Sequence, residues 1–275
     1  MYLQHFGLTE FPFGITPDTS FAFSAHGHQE ALNTLLVSLQ CGEGFVKITG
    51  EVGTGKTLLC RRLLQSLGDG VVTAYLPNPN LEPQTLLLAL AEELRIGDVG
   101  DLDQYHLLRR INHALLEFAR QGKRVVLCID EAQAMPLATL EALRLVSNLE
   151  TEKRKLLQIV LFGQPELDEK LSDPSVRQLL QRISFHHRLD GLGREEVALY
   201  LQHRLRVAGY RGDPVFSGAA VRGLCRASRG TPRLINILAN KSLLAVFGEG
   251  KQTVRFRHVR IAAKDTEGAR SPGWW

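Results

Sequence analysis

The eight residues GEVGTGKT, at Gly50–Thr57, restrict the fold of this chain more than any other feature. The run FVKIT before them has the β-branched, apolar character of a buried strand, and TLLCRRLLQSL after them has apolar residues at helical spacing. A GxxxxGK[ST] pattern in the turn between a strand and a helix is typical of a phosphate-binding loop. A purely structural glycine turn is the alternative, but the strand and helix on either side make that a rare coincidence. The sequence therefore predicts a nucleotide-binding α/β domain.

Each residue type in this loop has a physical role toward a nucleotide. Glycines let the backbone curl so that its N–H groups surround an anion, and the following helix adds its positive end. Lys56 would place a charge on the outer phosphates, and the Thr57 hydroxyl would hold Mg²⁺. The residues predicted to contact the nucleotide are Gly50, Glu51, Val52, Gly53, Thr54, Gly55, Lys56, Thr57 and Leu58.

Two acids end a second apolar run, RVVLCI, at Asp130 and Glu131. Ligands of open α/β sheets bind at the carboxyl ends of the strands. Asp130 is therefore expected to orient Mg²⁺, and Glu131 to act as the general base toward a water molecule. As an alternative, the two acids could be ordinary first residues of a loop. That alternative is weakened because a phosphate-binding loop is predicted in the same sheet. Gln164, directly after the run LLQIVLFG, is a further candidate for contact with the γ-phosphate or the attacking water.

Strand and helix patterns alternate along most of the chain. This order predicts a parallel sheet sandwiched by helices, followed after about residue 190 by a small all-α lid domain. We expect an N-terminal aromatic arm at 1–24, the ATPase core at 25–190, the helical lid at 191–266 and a flexible tail at 267–275. Turn residues are interleaved with the aromatics of the arm, which predicts an ordered segment without regular secondary structure.

Composition narrows the class of protein. Of the 275 residues, 44% are hydrophobic, no apolar run is long enough to cross a bilayer, and the first residues lack the pattern of a signal peptide. A cytoplasmic protein is therefore expected. The four cysteines lack CxxC or metal-ligand spacing, which indicates reduced structural thiols. The net charge is −5 over residues 1–190 and +9 over 191–275, so the last third could face nucleic acid, an anionic membrane or an acidic partner, or be a solvated surface.

The order of these motifs resembles the AAA+ ATPases, and within them the ExeA/GspA-type secretion ATPases. The resemblance covers about residues 2–266 and rests on the set YLQHFGLTEFPFG, GEVGTGKT, CIDEAQ, FGQPEL, LLQRI and RGTPRLIN. By length and layout the chain is most similar to the accessory ATPases of mannose-sensitive haemagglutinin (MSHA, type IV) pilus biogenesis. The longer secretion ATPases continue into a membrane segment and a wall-binding region, so those properties are not carried over.

The resemblance implies roles for further residues. Gln164 matches the sensor-1 position, and Arg233 of GTPR matches the sensor-2 arginine of the lid. Arg182 of LLQRI falls where an arginine finger would act in trans on a neighbouring subunit, with Arg177 as its nearest rival; a surface ion pair would also account for such an arginine. In the family, the N-terminal segment lies near the adenine. The aromatic residues Phe6, Phe11 and Phe13 could therefore line the pocket for the base, or pack on the core of the protein.

The implied function is binding and hydrolysis of ATP, with Mg²⁺ as cofactor, in support of type IV pilus or secretion-apparatus assembly. The implied partners are further copies of the chain, as a homo-oligomer such as a hexamer, and machinery proteins at the inner membrane, where the chain would be peripheral. A DNA-binding regulator of transposition is one alternative, favoured by Arg255, Arg257, His258 and Arg260. A nucleotide-dependent scaffold with little turnover is the other. Trp274 and Trp275 are either a docking peptide or part of a loose tail.

Overall fold

The structure is a computed structural model that describes residues 2–16, 18–97, 99–100, 102–151 and 154–271. Trp274 and Trp275, for which a docking role was considered, lie outside the described residues. The chain forms two compact units. We call His28–Gly50 with Leu59–Leu189 the sheet unit, and Met1–Gly27, Glu51–Leu58 and Asp190–Trp275 the helical unit.

A parallel five-stranded sheet is the centre of the sheet unit, as the alternating pattern predicts. The strands of the chain are β1 (Phe45–Gly50), β2 (Val71–Leu76), β3 (Arg124–Ile129), β4 (Glu150–Thr151), β5 (Arg154–Lys155), β6 (Gln158–Gly163) and β7 (Ile183–Leu189). The sheet order is β2-β3-β6-β1-β7, and every neighbouring pair is parallel. The short strands β4 and β5 form a separate antiparallel pair.

Apolar side chains cover both faces of this sheet. On one face Phe45 and Ile129 belong to one cluster of buried residues, and on the other Val46 and Ile48 belong to a second. All six residues of β1 are buried, which is the pattern of a central strand covered on two sides. The helices of the chain before the last strand are α1 (Tyr2–Phe6), α2 (His26–Gln40), α3 (Lys56–Ser66), α4 (Pro83–Glu93), α5 (Gln104–Arg120), α6 (Leu137–Ser147), α7 (Glu166–Leu171) and α8 (Arg177–Leu180).

The last third of the chain is helical, as predicted. It contains α9 (Arg194–Val207), α10 (Gly218–Ser228), α11 (Pro232–Gly248) and α12 (Phe256–Lys264), whose buried residues form a third apolar cluster. Within the described residues, no helix is both long and apolar enough to span a bilayer.

The N-terminal segment differs from its prediction, because it begins with a helix. The prediction of a segment without regular structure is wrong for α1. This helix ends at Gly7, which has a φ of +64°. The amide of Gly7 donates to the carbonyl of Gln4, and that of Leu8 donates to the carbonyl of Leu3. Helices commonly end at a glycine in the left-handed region. Gly7, which suggests a loop in the sequence, therefore ends the short helix α1.

Buried aromatic and cationic groups hold the remainder of this segment on the helical unit. Phe6 and Phe13 are 3% and 4% exposed. The guanidinium of Arg204, on α9, donates to the carbonyls of Pro12 at 2.6 Å and Gly14 at 3.2 Å. Its centre lies 4.5 Å from the ring centroid of Phe21. Burial lowers the pKa of Arg204, so the carbonyl acceptors and the aromatic ring stabilise a cation that has lost much of its hydration.

Candidate nucleotide site

The phosphate-loop residues form a compact turn between β1 and α3. Gly53 and Gly55 have φ values of +80° and +98°, a backbone region that favours glycine. The amide and hydroxyl of Thr54 both donate to the carbonyl of Glu51, at 3.2 and 2.8 Å. Thr57 is the second residue of α3 and is half-buried, as is Leu58. These hydrogen bonds curl the loop tightly, which is the shape that directs backbone N–H groups toward an anion.

The Lys56 side chain lies against this loop. It is 5% exposed, and its Nζ donates to the carbonyl oxygen of Glu51 at 3.1 Å. The loop backbone therefore solvates the ammonium group and holds a positive charge at the start of α3. Glu51 and Val52, at the outer side of the turn, are exposed.

The first turn of α11 contacts the same loop within the helical unit. The backbone amide of Arg233 donates to the carbonyl of Gly53 at 3.3 Å. A Cβ added at Gly53 would lie 2.6 Å from the Cβ of Arg233, so a side chain at this position would displace the helix start. Arg233, the sensor-2 candidate, therefore lies in the first turn of α11 and contacts the phosphate loop.

Asp130 is a buried carboxylate at the end of β3, in the sheet unit. It is 3% exposed, its amide donates to the carbonyl of Leu76 at 2.9 Å, and its Oδ1 accepts from the amide of Glu131 at 3.0 Å. Burial raises the pKa of Tyr75 to about 12, and the charge of Asp130 contributes in the same direction. Hard carboxylate oxygens of this kind are preferred ligands of Mg²⁺.

Glu131 has a strained backbone and a fixed side chain. Its φ of 51° and ψ of 37° place it in the left-handed region, which is uncommon for residues other than glycine and costs about 1–3 kcal/mol. Its Oε2 accepts from Nε2 of Gln133 at 2.6 Å and from Nε2 of Gln164 at 3.1 Å. The two amide groups hold the carboxylate in one orientation.

Gln133 is a residue to which sequence analysis gave no role. Besides its bond to Glu131, its Oε1 accepts from the backbone amide of Gln164 at 2.9 Å. It thus ties the ends of β3 and β6 together. The motif CIDEAQ contains this glutamine, and its offset of two residues from Glu131 was the available signal.

Strand register brings these residues to one edge of the sheet. Ile129 pairs with Leu161 across β3 and β6, and Thr49 pairs with Gly163 across β6 and β1. Because the strands are parallel, Asp130, Gln164 and Gly50 all occur at the carboxyl edge. This is the edge at which open α/β sheets bind ligands.

The two arginine-finger candidates differ in their surroundings. Arg182 is half-buried and its guanidinium donates to the hydroxyl of Ser147, at the end of α6, at 3.0 Å. Arg177, at the start of α8, is exposed.

For the ATP hydrolysis that the sequence predicts, we expect Gln133→Ala to lower the rate about tenfold, because the Glu131 carboxylate loses its shorter hydrogen bond and can leave its fixed orientation. Steady-state phosphate release would measure this loss, and binding of a fluorescent ATP analogue should stay within about twofold of wild type. Gln121→Ala, at the exposed end of α5, is a matched control. An unchanged rate in Gln133→Ala would exclude a positioning role for this residue.

Comparison with known proteins identifies the family. A family model described as an AAA domain matches residues 40–171. General secretion pathway protein A of Aeromonas hydrophila is 42% identical over 275 residues, which are 100% of this chain and 50% of that protein. The chain belongs to the ExeA/GspA-type family of AAA+ proteins. This confirms the family resemblance, but no finding supports an MSHA-pilus subgroup.

More distant relatives share the fold. The Holliday junction branch migration complex subunit RuvB of Chlamydia felis (strain Fe/C-56) is 29% identical over 206 residues, covering 74% of this chain and 54% of that protein. The chain thus spans about half the length of the curated relatives it matches. The crystal structure of Cdc6p from Pyrobaculum aerophilum has a TM-score of 0.68 at 19% identity, covering 90% of this chain and 70% of that one. The RuvB motor of Thermotoga maritima has a TM-score of 0.58 at 18% identity, covering 93% and 73%. The predicted AAA+ fold is confirmed.

Proposed function

We propose that this chain binds Mg-ATP with Gly50–Leu58 and hydrolyses it with Glu131 as general base. The observation that carries the proposal is the fixed orientation of Glu131. Its carboxylate is held by Gln133 and Gln164 at the edge of the sheet where the phosphate loop begins. A protein that only bound nucleotide would have no need to stabilise a strained acid at this position.

The other residues complete the proposed chemistry. Lys56 and the loop amides bind the β- and γ-phosphates, while Thr57 and Asp130 supply hard oxygen ligands for Mg²⁺, which would neutralise charge on the phosphates. Glu131 takes the proton of the attacking water. Gln164, whose Nε2 donates to Oε2 of Glu131, orients that water or the γ-phosphate, and Arg233 couples the lid to the bound nucleotide.

We further propose that the active form is a homo-oligomer in which Arg182 acts on a neighbour's site. The Arg182–Ser147 hydrogen bond fixes this arginine on the sheet unit, which suits a group that must be presented to a partner at a set position. Arg177, exposed on α8, remains the rival. A cation supplied in trans would stabilise transition-state charge and make hydrolysis depend on assembly.

The proposed cellular role is assembly of a type IV (MSHA-like) pilus or a secretion apparatus, at the cytoplasmic side of the inner membrane. Its support is the match to General secretion pathway protein A, which covers all 275 residues of this chain and 50% of that protein. The partners would be other proteins of that machinery.

Removal of the Lys56 charge tests nucleotide binding. We expect Lys56→Ala to weaken binding of ATP at least about tenfold and to abolish phosphate release, because the loop loses its only point charge toward the outer phosphates. Lys123→Ala, at an exposed site after α5, serves as the matched control. Equal ATP binding by wild type and Lys56→Ala would disprove the proposed site. If the wild-type protein releases phosphate no faster than Lys56→Ala, the function would be that of a nucleotide-dependent scaffold with little turnover.

A DNA-handling role is the second candidate, because a relative at 29% identity is named as a subunit of the Holliday junction branch migration complex. The helical unit gives it limited support: His258 is fully buried, and Arg257 is paired with Glu249. A fluorescence titration with a DNA duplex at 50 and 200 mM salt tests it. A steep loss of affinity with salt would support DNA binding, and no binding at low salt would refute it.

A further inference from the structure

The helical unit contains a cavity that the proposed ATP chemistry does not use. It has a volume of about 330 Å³ and lies between the outer face of α9 and the loop that leads into α10. Apolar residues from both elements line it, among them Leu199, Leu205, Val215 and Phe216. Leu199 is 56% exposed although it lies in the middle of a helix. The cavity therefore offers an apolar surface at its mouth as well as on its floor.

Hydrogen bonds fix the conformation of the loop that forms one wall of this cavity. The Tyr210 hydroxyl donates to the carbonyl of Asp213 at 2.7 Å, and a Cβ added at Gly212 would lie 2.6 Å from that hydroxyl. The Thr9 hydroxyl donates to the carbonyl of Ala208 at 3.0 Å, at the start of the same loop. Because these bonds fix the wall, a ligand would enter a preformed site and would lose little affinity to reorganisation.

Arg206 and Arg211 line the loop end of the cavity, and no described residue that lines it is acidic. Asp213 lies between the lining residues Gly212 and Pro214 but does not itself line the cavity. Arg206 lies in the last turn of α9, where a cation stabilises the helix end. Arg211 lies beyond the helix, so the helix dipole does not account for it. Two arginines beside an apolar floor favour a ligand that combines apolar groups with carboxylates.

The shape favours a peptide over a compact metabolite. A more open depression shares Ala198 and Val221 with the cavity and continues toward the start of α9. Together they follow α9 from Glu195 to Arg206, about 16 Å at 1.5 Å per residue, which matches about five residues of an extended chain. The carboxylate of Glu196, at the far end, accepts from the amides of Gly193 and His26 and so caps the helix start.

We infer that this groove is a docking site for an acidic, apolar peptide segment of a partner protein. Apolar side chains of the segment pack on Leu199 and Phe216, and its carboxylates pair with Arg206 and Arg211. The site lies on the helical unit and includes neither Glu131 nor Gln164. Peptide docking is therefore tested independently of ATP hydrolysis.

Selection of random peptides displayed on phage against the immobilised full chain tests the inference, followed by fluorescence anisotropy with the synthetic peptide that is enriched most. We expect enriched peptides to combine apolar residues with at least two acids. Leu199→Glu should weaken binding at least about tenfold through lost apolar contact and added negative charge, and the double variant Arg206→Glu/Arg211→Glu about as much. Affinity should fall as salt rises.

Leu244→Glu is the matched control, since Leu244 is a similarly exposed leucine, 49% exposed, on α11. It should stay within about twofold of wild type. Unchanged binding of ATP would show that Leu199→Glu is folded, and Leu199→Ala, a milder change, should weaken peptide binding about threefold. Absence of enrichment, enrichment without acidic residues, or equal losses in Leu199→Glu and Leu244→Glu would overturn the inference.

Discussion

Glu131→Gln should reduce the maximal rate of phosphate release by about 10²–10⁴-fold, the usual contribution of a general base. Glutamine cannot accept the proton of the attacking water. Its amide oxygen can still accept the hydrogen bonds that Gln133 and Gln164 donate to Glu131. The left-handed backbone and the network around it are therefore kept, and only the base is lost. ATP affinity should remain within about threefold of wild type, because the phosphate loop is unchanged.

Single-turnover and steady-state phosphate release would measure this effect, with a fluorescent ATP analogue for binding. Glu166→Gln is a matched control, since this glutamate is exposed at the start of α7 and lies only two residues after Gln164. It should retain the wild-type rate. A Glu131→Gln rate above half that of wild type would exclude Glu131 as the base, and an equal loss in Glu166→Gln would point to a general change of charge.

The predictable parts of the fold are those with a strong local pattern. The runs FVKITG, VVTAYL and QIVLFG are apolar and bounded by turns, and all form strands. The helix Pro232–Gly248 begins at a proline and ends at a glycine, which are local signals for the two ends of a helix within the predicted lid. The strand β7 was not predicted. At the sheet edge its residues are exposed or half-buried except for the buried Leu189, and its sequence ISFHHRL is too polar to indicate a buried strand.

The candidate site shows the same division. Phosphate-loop chemistry is local, so the spacing of Gly50–Thr57 predicts it without knowledge of the rest of the fold. The roles of Glu131 and Gln164 were predicted from their positions after two strands. The hydrogen bonds that Gln164 donates to Gln133 and Glu131 could not be predicted, because they depend on the pairing of β3 with β6, which a single sequence does not give. The contact of Gly53 with Arg233 is likewise a tertiary feature.

Gly230, in the segment RGTPR, is the second position where we expect a large effect, here on stability. Its φ is +76°, and an added Cβ would lie 2.3 Å from the carbonyl oxygen and 2.6 Å from the nitrogen of Leu192. Its own carbonyl accepts from the amide of Leu192 at 2.8 Å. The three nearest atoms that a methyl group would meet all belong to the backbone, so no side chain can move aside. The chain before α9 and the start of α11 must separate to admit even alanine.

We therefore expect Gly230→Ala to lower the free energy of unfolding of the helical unit by about 3–5 kcal/mol, and its melting temperature by roughly 10 °C. Gly250→Ala separates the two causes: Gly250 also has a positive φ, of +65°, but an added Cβ there would meet nothing within 4 Å. That variant bears only the backbone cost, about 1 kcal/mol. Scanning calorimetry would compare the two, and hydrogen exchange of α10 and α11 would locate the loss.

Because Thr231 and Pro232 lead directly from Gly230 to Arg233, the same substitution should also weaken ATP binding. The Arg233 amide is bonded to the Gly53 carbonyl of the phosphate loop, so a displaced helix start removes a contact of the loop itself. Gly250→Ala, at the far end of α11, should bind ATP as wild type does. Equal melting temperatures for the two alanine variants would show that the close approach of Leu192 relaxes at little cost, and that positive φ alone requires glycine at this position.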